Sequence, residues 1–229
     1  MRYVRAVIAE STESRGFRRL LGEPGWRGLL ALGRPRVYPD GATLLHQGDQ
    51  GSDVLALTAG RVKVVHTEES GEQKLLALRG AGDLLGEYAA PLAGTGRGAN
   101  VVALERCEAR VIQWPVLSAY FARNDCSLEF HGYLISKANQ ATHRPYLNTH
   151  LTPELRIARL LLEAVELVDG SVRDPARIPF EHTEIAPLLG MVRSTFAVHV
   201  KRLKEIGALR AERHLFLGDK AVLRSVAGV

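Results

Sequence analysis

The sequence predicts an α+β protein whose first half is an antiparallel β-roll of the jelly-roll type and whose second half is helical. Glycines recur at intervals of roughly ten residues or less before residue 115 and become sparse after it. Short runs with apolar and polar residues in alternation lie between the early glycines, whereas the later apolar residues recur at helical spacing. The C-terminal part contains two short helical patterns joined by a glycine turn.

The first half begins with an arginine-rich segment that acidic residues interrupt, which predicts a solvated leader helix. Short β-type runs then predict six strands, at 42–46, 54–58, 61–66, 74–78, 100–104 and 109–113. In the third of these strands, Val62 and Val64 are predicted to face one way, with Arg61 and Lys63 on the opposite face. Regular short strands between turns are typical of a barrel, sandwich or jelly roll.

A long helix is predicted next, from about residue 125 to residue 144. Its apolar and small residues share one face, at Phe130, Leu134, Ala138 and Ala141. This stripe favours a helix contact with a second copy of the chain, and simple packing on the roll is the alternative. Pro145 follows the predicted helix and is expected to interrupt its continuation.

The remaining residues predict a winged helix-turn-helix. Thr152 as N-cap and Pro153 at the first helical position begin a preceding helix. Helical spacing then predicts two short helices around a glycine turn, over 183–189 and 192–206 with Gly190 between them. Two short strands of a wing are predicted beyond them, at 208–211 and 214–217. Pro187 lies in the first short helix and is expected to bend it.

Composition excludes several classes of protein. The 229 residues are 46% hydrophobic and 24% charged, which is ordinary for a globular chain. No run approaches the roughly 18 apolar residues of a membrane span, so no membrane association is expected. Two cysteines rule out a disulfide scaffold, a four-cysteine zinc site and a cysteine-ligated iron–sulfur cluster within one chain, and they fit a reducing cytoplasm. The net charge of +5 is compatible with a nucleic-acid partner.

Motifs in both halves share the spacing of a known family. The first half contains Gly41, Gln47-Gly48-Asp49, Gly60, Gly82-Asp83 and Gly86-Glu87. The second half contains Thr183-Glu184-Ile185-Ala186, Leu189-Gly190, Arg193-Ser194-Thr195 and Leu203-Lys204-Glu205-Ile206-Gly207. Over roughly residues 30–225 the chain resembles the CRP/FNR superfamily of bacterial transcription regulators. The resemblance implies a cyclic-nucleotide-binding-like roll over 1–124, a dimerisation helix and hinge over 125–150, and a winged helix-turn-helix over 151–229.

The resemblance also implies an effector site. In the family a Gly-Glu pair and, about ten residues later, an Arg-Ser/Thr-Ala triplet hold a cyclic nucleotide, and Gly86-Glu87 and Arg97-Gly98-Ala99 match them here. Glu87 would accept a hydrogen bond from the ribose hydroxyl and Arg97 would pair with the phosphate. Gly98 departs from the pattern because it lacks the usual hydroxyl, and Thr142 retains an oxygen for contact with the base. Cyclic AMP or another cyclic nucleotide, a different small effector, or no effector all stay open, as does a plain surface ion pair between Glu87 and Arg97.

The same resemblance implies DNA contacts by the second short helix, which would enter the major groove. Arg193 at its start is expected to bond guanine, and Ser194 beside it replaces an acidic residue common in the family. The further candidates for DNA contact are Thr183, Thr195, His199, Lys201, Arg210, Arg213 and His214. The expected partners are a palindromic double-stranded operator, a second copy of the chain, a small effector and RNA polymerase.

Three alternatives remain beside an effector-responsive regulator. The first is an effector-independent DNA-binding regulator, and the second is a ligand sensor that acts through protein contacts. The third is a roll-type metalloenzyme, which needs a histidine and carboxylate cluster that His46 and His66 alone cannot supply. No catalytic motif or metal site is predicted, and Cys107 and Cys126 are interpreted as packed thiols rather than oxidant sensors or haem ligands.

Overall fold

A computed structural model describes residues 16–90, 94, 96–170 and 172–229, and for residues 143–149 it describes the backbone alone. In chain order the first half contains α1 (Phe17–Ala31), β1 (Arg34–Tyr38), β2 (Thr43–Leu45), β3 (Asp53–Ala59), β4 (Val62–Thr67), β5 (Gln73–Arg79), β6 (Leu84–Leu85), β7 (Asn100–Ala103) and β8 (Cys107–Gln113). The second half contains α2 (Trp114–Arg123), α3 (Ser127–His150), α4 (Pro153–Glu166), α5 (His182–Leu188), α6 (Arg193–Glu205) and α7 (Lys220–Ala227).

The strands form two four-stranded antiparallel sheets, in the orders β1-β8-β3-β6 and β2-β7-β4-β5. Apolar residues of both sheets, such as Leu55, Val62 and Val101, are buried together between them. The predicted α+β roll is therefore confirmed, and each of the six predicted strands is present. The two additional strands gave no sequence signal, because β6 has two residues and β1 is mostly exposed and contains a proline.

The predicted solvated leader helix lies mostly outside the described residues, and at its described end Arg18 and Arg19 are exposed as predicted while Phe17 is buried. Residues 1–15 lie outside the described residues, and α1 follows them. Phe17 and Leu29 of α1 are fully buried, and Trp26 is nearly so. The ring of Phe17 packs edge-on against Phe121 and Phe130, with centroid distances of 5.5 and 5.9 Å. Aromatic side chains spaced along the helix, rather than its arginines, decide which face it buries.

Arg61 and Lys63 lie on the sheet face opposite Val62, as predicted, and that face is buried rather than exposed. Arg61 is 1% exposed, because the C-terminal half packs on that face of β4 and β5. Its guanidinium donates two hydrogen bonds to the carboxylate of Glu105, at 2.7 and 2.9 Å. It also donates to the Ala164 carbonyl at 2.8 Å. That carbonyl belongs to the last turn of α4, where a cation satisfies groups that have no intrahelical partner.

An ion pair and an apolar cluster also join the roll to the helix-turn-helix. Lys63 Nζ lies 3.0 Å from Glu184 Oε1 on α5. Around these polar contacts, Val65 and Leu78 of the roll belong to the same apolar cluster as the helices α4, α5 and α6. The sheet face that carries Arg61 is thus an internal interface between the two halves of the chain.

The C-terminal helices follow the predicted plan with four differences. The long helix begins at Ser127 and continues through position 145 to His150, beyond its predicted end. Phe130 packs into the core between α1 and α2, so the predicted stripe serves the roll at that point. The helices α2 and α7 were not predicted. The wing forms single antiparallel bridges, Leu209 to Leu217 and Arg177 to Phe216, in place of two full strands.

Candidate functional site

One candidate site lies at the corner of the roll that follows β6. Gly86 there has a φ of +83°, which favours glycine, and Glu87 follows it. Glu87 is 1% exposed and its Oε1 lies 2.5 Å from Nζ of Lys137, on the long helix α3. The predicted partner Arg97 instead donates to main-chain carbonyls. The alternative of a surface ion pair between Glu87 and Arg97 therefore does not describe this corner.

Arg97 is held in place by the two segments that flank it. Its Nη2 donates to the Asp53 carbonyl at 2.9 Å, and its Nη1 reaches the Gly86 carbonyl at 3.5 Å. A side chain at Gly51 or at Gly86 would collide with the guanidinium, since a Cβ would stand 2.8 or 2.2 Å from it. Arginine has five N–H donors, so donors remain for an anion after these two contacts.

Three side chains, two from α3 and one from the roll, bind the helix α3 to the same corner. Tyr133 donates a hydrogen bond from its hydroxyl to Asp83 Oδ1 at 2.9 Å, and Lys137 Nζ donates to the Leu84 carbonyl at 2.8 Å. Tyr88 reaches back from the roll and donates to the Leu134 carbonyl at 2.8 Å. These contacts join the corner of the roll to the long helix.

The electrostatics of the corner follow from its burial. Burial raises the pKa of the Tyr133 hydroxyl well above its ordinary value and that of Tyr88 to about 12, so both stay neutral donors. Burial lowers the pKa of Lys137, and the Glu87 carboxylate opposes that change. The charged residues of this corner that are nearly buried are Arg79, Asp83, Glu87, Arg97 and Lys137. Three cations against two carboxylates leave a local excess of positive charge that suits an anionic ligand.

The other predicted effector residues are Gly98, Ala99 and Thr142, and their described contacts are local. The carbonyl of Gly98 lies 2.9 Å from Nδ1 of His66, and a Cβ at Gly98 would meet nothing within 4 Å. Ala99 follows Gly98 just before β7. Thr142 is exposed on α3 and donates its hydroxyl to the Ala138 carbonyl at 3.0 Å. Residues 91–93 and 95, between Glu87 and Arg97, lie outside the described part of the chain.

Lys137 is the site residue that sequence reasoning missed. A usable signal was present, because Phe130, Tyr133 and Lys137 occupy one buried face of α3 at helical spacing. A lysine on an otherwise apolar buried stripe requires an internal carboxylate partner.

The second candidate site is the helix-turn-helix formed by α5 and α6. Gly190 joins the two helices with a φ of +62°. Phe196, Val200 and Leu203 recur at helical spacing on the buried face of α6 and hold it against the domain. Arg193 and Ser194 are exposed at the N-terminal end of α6, as the prediction requires, and Thr195 beside them is partly exposed.

The remaining predicted DNA contacts divide into exposed and half-buried groups. Five of them are exposed, namely Thr183 on α5, Lys201 on α6, and Arg210, Arg213 and His214 on the wing. His199 is half-buried and lies beside the packed face of α6. Arg210 stacks on Phe216, with 5.9 Å from its Cζ to the ring centroid, which places a cation on the wing.

The two cysteines lie away from both sites. Cys107 and Cys126 are buried, and burial raises the pKa of both thiols, that of Cys107 to about 12. A thiol with a raised pKa is a poor nucleophile and a poor oxidant sensor. The interpretation of both as packed thiols fits these surroundings. Among the described helices, none combines the length and apolar character needed to cross a bilayer.

Comparison with known proteins covers both halves of the chain. The cyclic nucleotide-binding domain family matches residues 35–124, and the Crp-like helix-turn-helix domain family matches residues 155–226. The Cyclic AMP receptor protein of Thermus thermophilus is 28% identical over 200 residues, which cover 82% of this chain and 89% of that protein. The cAMP-activated global transcriptional regulator CRP of Salmonella typhimurium is 27% identical over 176 residues, covering 76% and 84%.

A solved structure has the same fold. The c-di-GMP-responsive global regulator CLP of Xanthomonas campestris superposes with a TM-score of 0.68 at 19% identity, over 86% of this chain and 100% of that one. The order of roll, long helix and helix-turn-helix is therefore shared along both chains.

Proposed function

Because the chain belongs to the CRP/FNR superfamily of DNA-binding transcription regulators, we propose that it is an effector-responsive homodimer that binds a palindromic operator. The proposed division of labour follows the three segments 1–124, 125–150 and 151–229. The first senses a small anionic effector, the second joins two copies, and the third binds DNA. The protein would act in the cytoplasm, where its DNA and RNA polymerase partners are found, and it would catalyse no reaction.

The exposed face of α3 supports dimerisation. Leu128 is 81% exposed and Ile135 is 62% exposed, and they lie seven residues apart. A spacing of seven residues keeps both side chains on the seam of a two-helix coiled coil. A second copy of the same helix, related by a two-fold axis, would cover both side chains. Two helix-turn-helix units would then face a palindrome whose half-sites lie about one helical turn apart.

The roll corner supports an anionic effector with a ribose-like hydroxyl, and cyclic AMP is the first candidate. Arg97 would bind the phosphate with its remaining N–H donors, together with the backbone N–H groups of Gly98 and Ala99. Glu87 would accept a hydrogen bond from the ribose hydroxyl, and Lys137 would compensate the charge of the Glu87 carboxylate. Thr142, from the helix of either copy, would supply an oxygen to the base.

Coupling between the two sites would follow from shared contacts. Effector binding at Glu87 changes the environment of Lys137 and hence of α3. The DNA-binding half rests on the roll through Arg61 and through Lys63 with Glu184. The effector would stabilise the arrangement of the two helix-turn-helix units that matches successive major grooves, which is a population shift.

A second candidate function is DNA binding that ignores any effector. One observation favours it: the ionic groups of the corner already have partners within the chain, Glu87 with Lys137 and Arg97 with two carbonyls. A corner whose charged groups are already paired can serve purely as a scaffold for α3, without binding an effector.

The decisive experiment combines two titrations of the purified full chain. Calorimetry with cyclic AMP, and with cyclic GMP as the control, measures effector binding. Fluorescence anisotropy with an operator selected from randomised duplexes measures DNA affinity with and without the nucleotide. Saturable binding of cyclic AMP and a matching gain in DNA affinity are expected. If neither nucleotide changes the DNA affinity, the protein is an effector-independent regulator. If the DNA affinity does not depend on salt concentration, the DNA-binding role is contradicted.

A further inference from the structure

The most exposed large apolar side chains of the described residues lie in two places. Leu128 and Ile135 belong to the proposed dimer face of α3. Val192 and Val198, both 66% exposed, lie at the start of α6 and on its surface. Single exposed valines are ordinary on protein surfaces, but here one occupies the helix that must enter the groove.

The position of Val198 on α6 is fixed by two stripes. Phe196, Val200 and Leu203 form the buried stripe, at steps of four and three residues. Ser194, Val198 and Lys201 repeat the same steps, displaced by two residues, and all three are exposed. A displacement of two residues is about 200° around an α-helix, so the second stripe lies opposite the packed face. Val198 is therefore the centre of the surface that α6 presents outward.

We propose that Val198 reads the 5-methyl group of a thymine in each half-site of the operator. This inference rests on the proposed insertion of α6 into the major groove. A valine side chain has no donor or acceptor, so its favourable contact in that groove is with the thymine methyl, which cytosine lacks. Arg193 precedes Val198 by five residues, or about 7.5 Å along the helix, so the thymine lies within about three base pairs of the guanine that Arg193 contacts.

The test removes the methyl group from the DNA and the valine from the protein. The operator is selected from randomised duplexes at fixed salt, and each thymine is replaced symmetrically by deoxyuridine. At one symmetric position the wild-type affinity should fall about fourfold per half-site, the value for one buried methyl group. Val198→Ala should show the same loss on the thymine duplex and no further loss with deoxyuridine.

Two valines provide matched controls. Val192→Ala removes an equally exposed valine outside the outward stripe, and Val37→Ala removes one that is 53% exposed on β1 of the roll. Both should keep the full penalty for deoxyuridine. A penalty that persists in Val198→Ala, a penalty that Val192→Ala abolishes, or a selected half-site without a sensitive thymine would each overturn the proposal. Absence of salt-dependent binding by the wild type to any selected duplex would instead show that the proposed function fails, and the inference with it.

Discussion

The charges of the roll and the charges of the DNA-binding surface are placed in opposite ways. Arg61, Glu87, Arg97 and Lys137 are at most 8% exposed, and each has a partner within the chain. Most basic residues of α6 and the wing, such as Arg193 and Arg213, are exposed. A buried charge must be compensated by the fold itself, whereas an exposed charge is available to a phosphate or a base edge. Removing one of these buried charges should therefore alter stability, and removing an exposed cation of α6 or the wing should alter DNA binding alone.

The largest expected effect follows removal of a buried charge. Arg61→Ala leaves the Ala164 carbonyl and the carboxylate of Glu105 without their cation. We expect the free energy of unfolding to fall by about 3 kcal/mol, because the remaining partners stay partly buried. Urea denaturation followed by circular dichroism measures the change.

The matched control is a neighbouring arginine with an exposed ion pair. Arg106 lies 2.6 Å from Glu108, and both side chains are largely exposed. Arg106→Ala should change the free energy of unfolding by at most about 1 kcal/mol. Equal losses for Arg61→Ala and Arg106→Ala would contradict the contrast between buried and exposed charge.

The next effect concerns base recognition without a change in stability. Arg193→Ala should reduce the preference for the operator over a duplex with altered half-sites by about 2 kcal/mol per half-site, since an arginine contact with guanine is lost. Anisotropy titrations with both duplexes measure this preference. Arg34→Ala, an exposed arginine on β1, should leave it unchanged. An unaltered preference in Arg193→Ala would mean that another residue of α6 reads the base.

The same contrast explains how much the sequence could predict. The position of α6 follows from local pattern, because its periodicity and the turn at Gly190 are visible in a short stretch of residues, whereas its DNA contacts are what the resemblance implies. The strands between the early glycines were predictable for the same reason. Arg193 and Ser194 lie where that local pattern placed them, exposed at the start of α6.

Buried charges were not predictable in this way, because their partners are distant in sequence. Arg61 bonds to residues 44 and 103 positions away, so alternation along β4 gives the face of Arg61 but not its partners. Lys137 on α3 pairs with Glu87 of the roll, which is distant from it in sequence. The burial of Phe17 was not predictable for the same reason, since its partner Phe121 is distant in sequence.

A smaller effect is expected at the one departure from the effector motif. Gly98 lacks the hydroxyl, and a Cβ there would meet no atom within 4 Å, so serine fits without strain. Gly98→Ser should bind cyclic AMP about tenfold more tightly, through one added hydrogen bond to the charged phosphate. Calorimetry compares it with Gly170→Ser, where a Cβ also meets nothing. Unchanged or weaker affinity in Gly98→Ser would place the phosphate elsewhere.

The smallest expected effect is at the wing, where we expect Arg213 to contact the DNA backbone. Arg213→Ala should lower the affinity for all duplexes alike and leave base preference intact, because phosphate contacts are the same in every sequence. The slope of log K against log salt concentration should become less steep by about 0.9 per half-site, the contribution of one neutralised phosphate. Arg210→Ala provides the comparison, since Arg210 stacks on Phe216 and lies 3.9 Å from Glu212. If neither variant changes the salt slope, the wing does not touch the backbone and the phosphate contacts lie on α5 and α6.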